Sequence, residues 1–266
     1  MKTTKMTIAA ALTMLIAMPA VSQADDDEIP FSVAEVFFEL NNTDGDLGIH
    51  ALIDGEPWKK LIIEDKRERT MLNVNVRGRL RRQGLTEIFF ESAEPTFDEL
   101  SAEDFFRRFP AGTYEVEGKT LDGEELESDT EITHAMPAPP AAAVNGIPAA
   151  IQCDDEEAGY DAPTVTGPVV ISWPPVTTTH PDLGSPRNSP DITIYNYQVV
   201  VETELEGPGG EFASVLSVIL PPGVTALEIP AGFLAQSDTF KYEVLARETS
   251  YNQTAVESCF LLDEGA

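Results

Sequence analysis

Phe240-Lys-Tyr-Glu-Val-Leu-Ala246 is the stretch that decides the fold. Phe240, Tyr242, Val244 and Ala246 fall on one side of an extended chain, and Lys241, Glu243 and Leu245 on the other. A side-chain period of two is the signature of a half-buried strand. The same period recurs before it. Tyr195, Tyr197, Val199 and Val201 share one face of an earlier run. Phe212 to Leu220 alternates until Pro221-Pro222-Gly223 stops it. Val169 to Trp173 and Leu227-Glu-Ile229 are shorter runs, and Asn252-Gln-Thr254 opens a last one.

The chain ahead of these runs reads the same way. Glu35 to Leu40, Gly48 to Ile53, Trp58 to Ile63 and Leu72 to Arg77 are predicted strands, with Asp54-Gly55 and Asp122-Gly123 as turns. One short helix is predicted over about 101–109. Ser101 with Asp104 forms its capping pattern, Phe105, Phe106 and Phe109 face inward, and Pro110 ends it. A strand follows at Thr113 to Val116, and another near Leu126 to His134. Strand after strand predicts an all-β chain of two tandem antiparallel sandwiches.

Met136-Pro-Ala-Pro-Pro-Ala-Ala-Ala-Val-Asn-Gly-Ile-Pro148 divides the halves. Its prolines argue against a helix or central strand, so 136–150 is expected to be an extended linker. Residues 25–135 would then form the first sandwich and 151–266 the second. Residues 1–24 read as a cleaved signal peptide. Lys2 and Lys5 precede an uncharged run from Met6 to Met18, and Ser22-Gln-Ala24 supplies small residues for cleavage. That run is too short to span a membrane, so the expected location is periplasmic or extracellular.

From about 160 to 262 the chain resembles a fibronectin type III domain. The resemblance rests on Ser172-Trp-Pro-Pro175, on Tyr197-x-Val199-x-Val201 and on Phe240-x-Tyr242-x-Val244-x-Ala246, in that order. It implies a sandwich whose shared residues are structural, and it carries over no catalytic residue. Two departures stand out. Phe240 occupies the place of a corner tyrosine, and the loop from Pro175 to Asp191 is long. The first half resembles bacterial immunoglobulin-like domains through Pro110-Ala-Gly-Thr-Tyr-Glu-Val116.

Charge limits the partners. The chain of 266 residues has 17 Lys+Arg against 46 Asp+Glu, a formal net charge of -29. Binding to nucleic acid or to an anionic membrane needs a basic surface and is not expected. The basic residues concentrate between Lys59 and Arg108, most densely at Val76-Arg-Gly-Arg-Leu-Arg-Arg82. Arg77, Arg79, Arg81 and Arg82 are candidate contacts for an anion or an acidic partner. The competing reading is a hairpin looping at 82–84, in which Arg79 faces Glu87, Asn75 faces Glu91 and Val76 faces Phe90.

Three further groups could carry chemistry. Cys153 and Cys259 are the only cysteines. In an oxidising compartment they are expected to form a disulfide, the alternative being two thiols held too far apart. Asn42, Asp44 and Asp46 offer oxygens at every second residue, as calcium loops do, but Leu47 and Ile53 break the EF-hand pattern. Calcium is therefore a weak candidate cofactor, competing with a plain polar turn. The sequence has no Gly-x-Ser-x-Gly, no His-Glu-x-x-His and no phosphate-binding loop, and its three histidines are far apart. The expected function is an exported, non-enzymatic binding, adhesion or assembly module. Its partner would be a protein, a polysaccharide or a second copy of the chain. The alternatives are a component of extracellular polysaccharide degradation and a calcium-dependent surface protein.

Overall fold

The computed structural model describes residues 28–150, Cys153 and 162–263. The expected signal peptide lies outside the described residues. In chain order the strands of the first half are β1 (Val33–Asn41), β2 (Asp46–Asp65), β3 (Thr70–Asn75), β4 (Leu85–Glu91), β5 (Gly112–Thr120) and β6 (Glu125–Ile132). Helix α1 (Ala102–Arg108) lies between β4 and β5. Then come β7 (Ala143–Val144), β8 (Ile147–Pro148), β9 (Thr164–Val165), β10 (Val170–Ser172), β11 (Ile194–Gly207), β12 (Gly210–Leu220) and β13 (Ala226–Glu228). The short helix α2 (Ala231–Leu234), β14 (Thr239–Glu248) and β15 (Gln253–Leu262) complete the order. The chain is all-β, as its alternation requires.

Two buried clusters organise these elements. The first contains Phe38, Leu40, Ile53, Trp58, Leu61 and Val116, with Phe105 of α1 packed into it. Helix α1 begins where Ser101 Oγ accepts the Asp104 amide at 3.2 Å, and Arg107 and Arg108 close its last turn. The second cluster packs Val144 and Ile171 of a four-stranded sheet, β13-β10-β7-β8, against Tyr197, Val199, Tyr242 and Phe260. Phe240 stacks on Phe260 at 5.1 Å, so this aromatic position is filled by packing and offers no hydroxyl. Tyr114 of the first half does donate its hydroxyl back to the Pro110 carbonyl, at 3.0 Å.

Three expectations need correction. The predicted turn at Asp54-Gly55 does not exist, because β2 runs unbroken through it for 20 residues. It bends between Asp54 and Trp58, where its pairing register shifts. Its first leg pairs with β1 and β4, and its second with β3 and β5. The predicted hairpin at 82–84 also fails. Strand β3 ends at Asn75, the chain turns through Gly78 (φ +67) into a 3-10 turn over Leu80–Arg82, and β4 pairs with β2 instead of β3. Glu91 therefore faces His50, Phe90 faces Ala51 and Glu87 faces Asp54.

The third correction concerns the linker. Met136 is fully buried in the first cluster, and Ala142 and Val144 are buried in the second. Val144 pairs with Ile171 and Ala143 with Ser172, so the segment supplies an edge of the second sheet. Proline is admissible there because an edge strand needs hydrogen bonds on one side only. The Pro-rich loop of 175–191 adds a second tie. Its Leu183 packs on the first cluster, and the amides of His180 and Ser185 donate to the carbonyls of Met136 and His134, each at 2.7 Å.

The larger sheet crosses from one cluster to the other, in the order β12-β11-β14-β15-β1-β2-β5-β6. Its crossing point is a parallel ladder in which Glu39 pairs with Gln253, Leu40 with Thr254 and Asn41 with Ala255.

Candidate functional site at the junction of the two cores

The buried side of that ladder is held by Asn252, which has no exposed surface. Its Oδ1 accepts the Phe38 amide at 2.9 Å. Its Nδ2 lies 3.0 Å from the Thr133 carbonyl and 3.1 Å from that of Ala135. One amide thus satisfies backbone groups of the first half from the start of β15. Thr254 Oγ1 adds a bond to the Pro137 carbonyl at 2.8 Å.

The other side of the ladder carries acids. His50, 3% exposed, places Nε2 2.8 Å from Glu94 Oε1 and Nδ1 3.5 Å from Glu39 Oε2. The Glu39 carboxylate also accepts the side-chain amide of Gln253. Glu94 reaches His50 because residue 48 is glycine. A Cβ there would lie 2.3 Å from Glu94 Oε1. From β15, Glu257 accepts the Asn41 side-chain amide at 2.9 Å, and from β14, Glu243 faces the same group of carboxylates.

Burial is the main force on these acids. It holds the Glu243 carboxyl at about 8, reinforced by repulsion from Glu39, Glu257, Glu202 and Glu94. Asp46 is pushed to about 6 by burial, then by Glu94, Asp44, Glu257 and Glu39, and its Oδ1 is enclosed with no hydrogen-bond partner. Glu39 and Glu257 are raised by burial, although His50 and Gln253 favour the ionised form of the first and Asn41 that of the second.

Two clefts open on this face and share Glu243. One, about 340 Å³, runs past Asp44, Glu202, Lys241 and Glu257. The other, about 310 Å³, is lined by His50, Phe89, Gln198, Arg247 and Gln253. Arg247 is anchored in the second, with its guanidinium carbon 4.8 Å from the Phe37 ring centre and Nε 2.8 Å from Gln253 Oε1. Cys153 and Cys259 form a disulfide beside the first cleft, with Cα atoms 5.7 Å apart.

The sequence-derived candidates divide. The disulfide is present. Arg77, Arg79, Arg81 and Arg82 are all exposed, and none makes an ion pair with a described residue. Arg69 and Arg107, by contrast, are paired with Asp65 and Asp104. Glu87 does not face Arg79, nor Glu91 Asn75, because β4 lies on β2.

Asn42, Asp44 and Asp46 do not converge. Asn42 Oδ1 lies 3.0 Å from His180 Nε2, Asp44 accepts from Asn41, and Asp46 turns to the acids of the junction. Among the described residues no group of three His, Cys, Asp or Glu side chains is placed to hold a metal ion. His50, Glu94, Glu243 and Asn252 were not singled out by the sequence. Only the pairing of β1 with β15 brings them together, and no local pattern encodes a parallel ladder between residues more than 200 apart.

No protein-family model and no curated protein matches the chain. Among solved structures, it is similar to a tetra-tandem repeat from the extending region of a large adhesion protein. The identity is 12%, over 87% of this chain and 50% of that one, with a TM-score of 0.25. A structure from a 1.5-MDa bacterial ice-binding adhesin aligns at 13% identity over 89% of this chain and 66% of that one, TM-score 0.22. Murine CEACAM1b aligns at 9% identity over 87% and 99%, TM-score 0.20. The chain thus spans about half to two thirds of the two adhesin structures. Among the described residues no helix is long and apolar enough to cross a membrane.

Proposed function

We propose that the chain is an exported, non-enzymatic binding or assembly module, built of two sandwich units of which the second is fibronectin type III-like. Its binding face is the acidic junction, and its ligand is a positively charged polypeptide segment. The observation that carries this reading is the meeting of both clefts at Glu243, whose carboxyl is held at about 8 by burial first and by the surrounding acids second. A cation placed there relieves repulsion already present in the fold. The disulfide supports export, since such bonds persist in oxidising compartments.

The chain itself displays a segment of the required kind. Arg77 to Arg82 is exposed and unpaired with described acids, so a second copy could supply it head to tail. The test is calorimetric titration of a synthetic peptide of residues 76–83 into the purified protein. Binding is expected to weaken roughly tenfold in Glu243→Gln and Glu257→Gln, and with added salt. It should be unchanged in Glu115→Gln, an exposed acid of β5. Proton release on binding near pH 8 is a second expected sign, because a bound cation lowers the Glu243 pKa. Equal binding by all variants would overturn the reading.

A neutral polysaccharide is the second reading. It is favoured by one observation, the half-exposed Phe89 ring standing edge-on to His50 in the cleft that contains Gln198 and Gln253. Binding of a neutral glycan that Phe89→Ala abolishes, with no response to the peptide, would select it.

A further inference from the structure

The two ends of the large sheet are treated differently by the sequence. The β6 edge is guarded. Glu125, Glu127, Asp129 and Glu131 line it, and the chain at Ile29 bonds along it to Glu125 and Glu127. Among the described residues, β12 at the opposite end pairs only with β11. From Phe212 to Leu227 it and the following loop carry no charged residue, in a chain of net charge -29. Phe212, Val215 and Ile219 are 52%, 55% and 64% exposed. Exposed edges are normally blunted by charge, proline or a bulge, and from Phe212 to Leu220 β12 has none of these.

The free backbone groups of this edge can be assigned. Glu248 N–H donates to Asn252 C=O, and Leu262 N–H to Asp238 C=O. Even-numbered residues of β14 therefore bond toward β15, and odd-numbered ones toward β11. Carrying that alternation through β11 turns the N–H and C=O of Ala213, Val215, Ser217 and Ile219 outward from β12.

We propose that β12 pairs antiparallel with β12 of a second copy, about a two-fold axis at Leu216, to continue the sheet across two molecules. In that register Val215 bonds with Ser217 of the other copy and Ala213 with Ile219, all groups that point outward. Phe212 comes to lie against Leu220, and Leu216 meets itself on the axis. No charged side chain opposes another along this register. Charge also selects this occupant. Two copies of a strongly acidic chain repel nearly everywhere, and this uncharged edge is where they can approach. The pairing is isologous and so closes as a dimer, and it does not depend on the acidic cleft.

Sedimentation velocity of the wild-type protein at high concentration tests it, in about 0.02 M and about 0.5 M salt. A dimer that strengthens with salt is expected, because screening removes repulsion between the acidic bodies. A head-to-tail contact through the arginines would weaken with salt instead, so the two associations are told apart. Ser217→Pro removes an outward N–H and leaves the β11 ladder intact; it should give a monomer with unchanged circular dichroism and Tm. Leu216→Cys should form an intermolecular disulfide under mild oxidation, as directly opposed non-hydrogen-bonded residues can. A wild-type monomer at high salt, or a dimer that survives Ser217→Pro, would overturn the proposal.

Discussion

Gly48 and Glu243 show how single residues set the chemistry of the junction. Because a Cβ at 48 would displace the Glu94 carboxylate, Gly48→Ala is expected to leave the fold intact and separate Glu94 from His50. The NMR chemical shifts of the His50 ring would show it, as the ring loses one of its two carboxylate partners. Glu243 makes a prediction about pH. Its carboxyl takes up a proton at about 8 in the folded chain and near the ordinary 4.5 when unfolded. The folded state therefore binds the extra proton between those values, so stability is complete below 4.5 and is lost as pH rises through 8. Each pH unit in the window is worth up to ~1.4 kcal/mol from this group. Glu39, Glu257 and Asp46 act in the same direction. His180 opposes them. Its Nδ1 accepts the amides of Asp182 and Leu183, and burial holds the ring below its usual range, so acidification below about 6.5 weakens that loop. Urea unfolding at pH 8.5 and 6.5 should show the wild type gaining stability on acidification, and Glu243→Gln gaining much less.

At the scale of elements, β2 and the 136–150 segment show what the sequence discloses and what it hides. Alternation was enough to locate most strands, because side-chain period is a local property. It was not enough to join two runs into one. Gly55 reads as a turn glycine, yet its purpose is contact, since a Cβ there would come within 2.9 Å of the Phe31 ring. A glycine that makes room and a glycine that turns the chain look identical in sequence. The prolines of 136–150 misled for a related reason. Proline excludes a central strand but not an edge, and which strand is an edge is a tertiary fact. The acidic junction was hidden in the same way, since its carboxylates come from β1, β2, β14, β15 and the Glu94 segment. In sequence Asn252 reads only as the opening of a strand, although its side chain is one of the bonds that join the halves. Asn252→Ala would leave the Phe38 amide and the Thr133 and Ala135 carbonyls without their partner. A loss of about 2–4 kcal/mol is expected, measurable as a lower urea midpoint. A substitution with no effect would mean that the junction contributes little to stability.

At the scale of the molecule, the disulfide and the parallel ladder act on different intervals of chain. The disulfide closes a loop 106 residues long within the second half. Its reduction should cost up to ~5 kcal/mol in the chain-entropy account and lower the Tm of the second core more than that of the first. Tryptophan fluorescence separates the two, because Trp58 lies in the first cluster and Trp173 in the second. The ladder spans far more. The Phe38 amide meets its Asn252 partner across 214 residues, a separation that makes the contact slow to find. During synthesis, β1 therefore waits with one edge open until β15 is available. The acidic face cannot exist on a partly made molecule, and a chain that displays it has already brought β1 and β15 together.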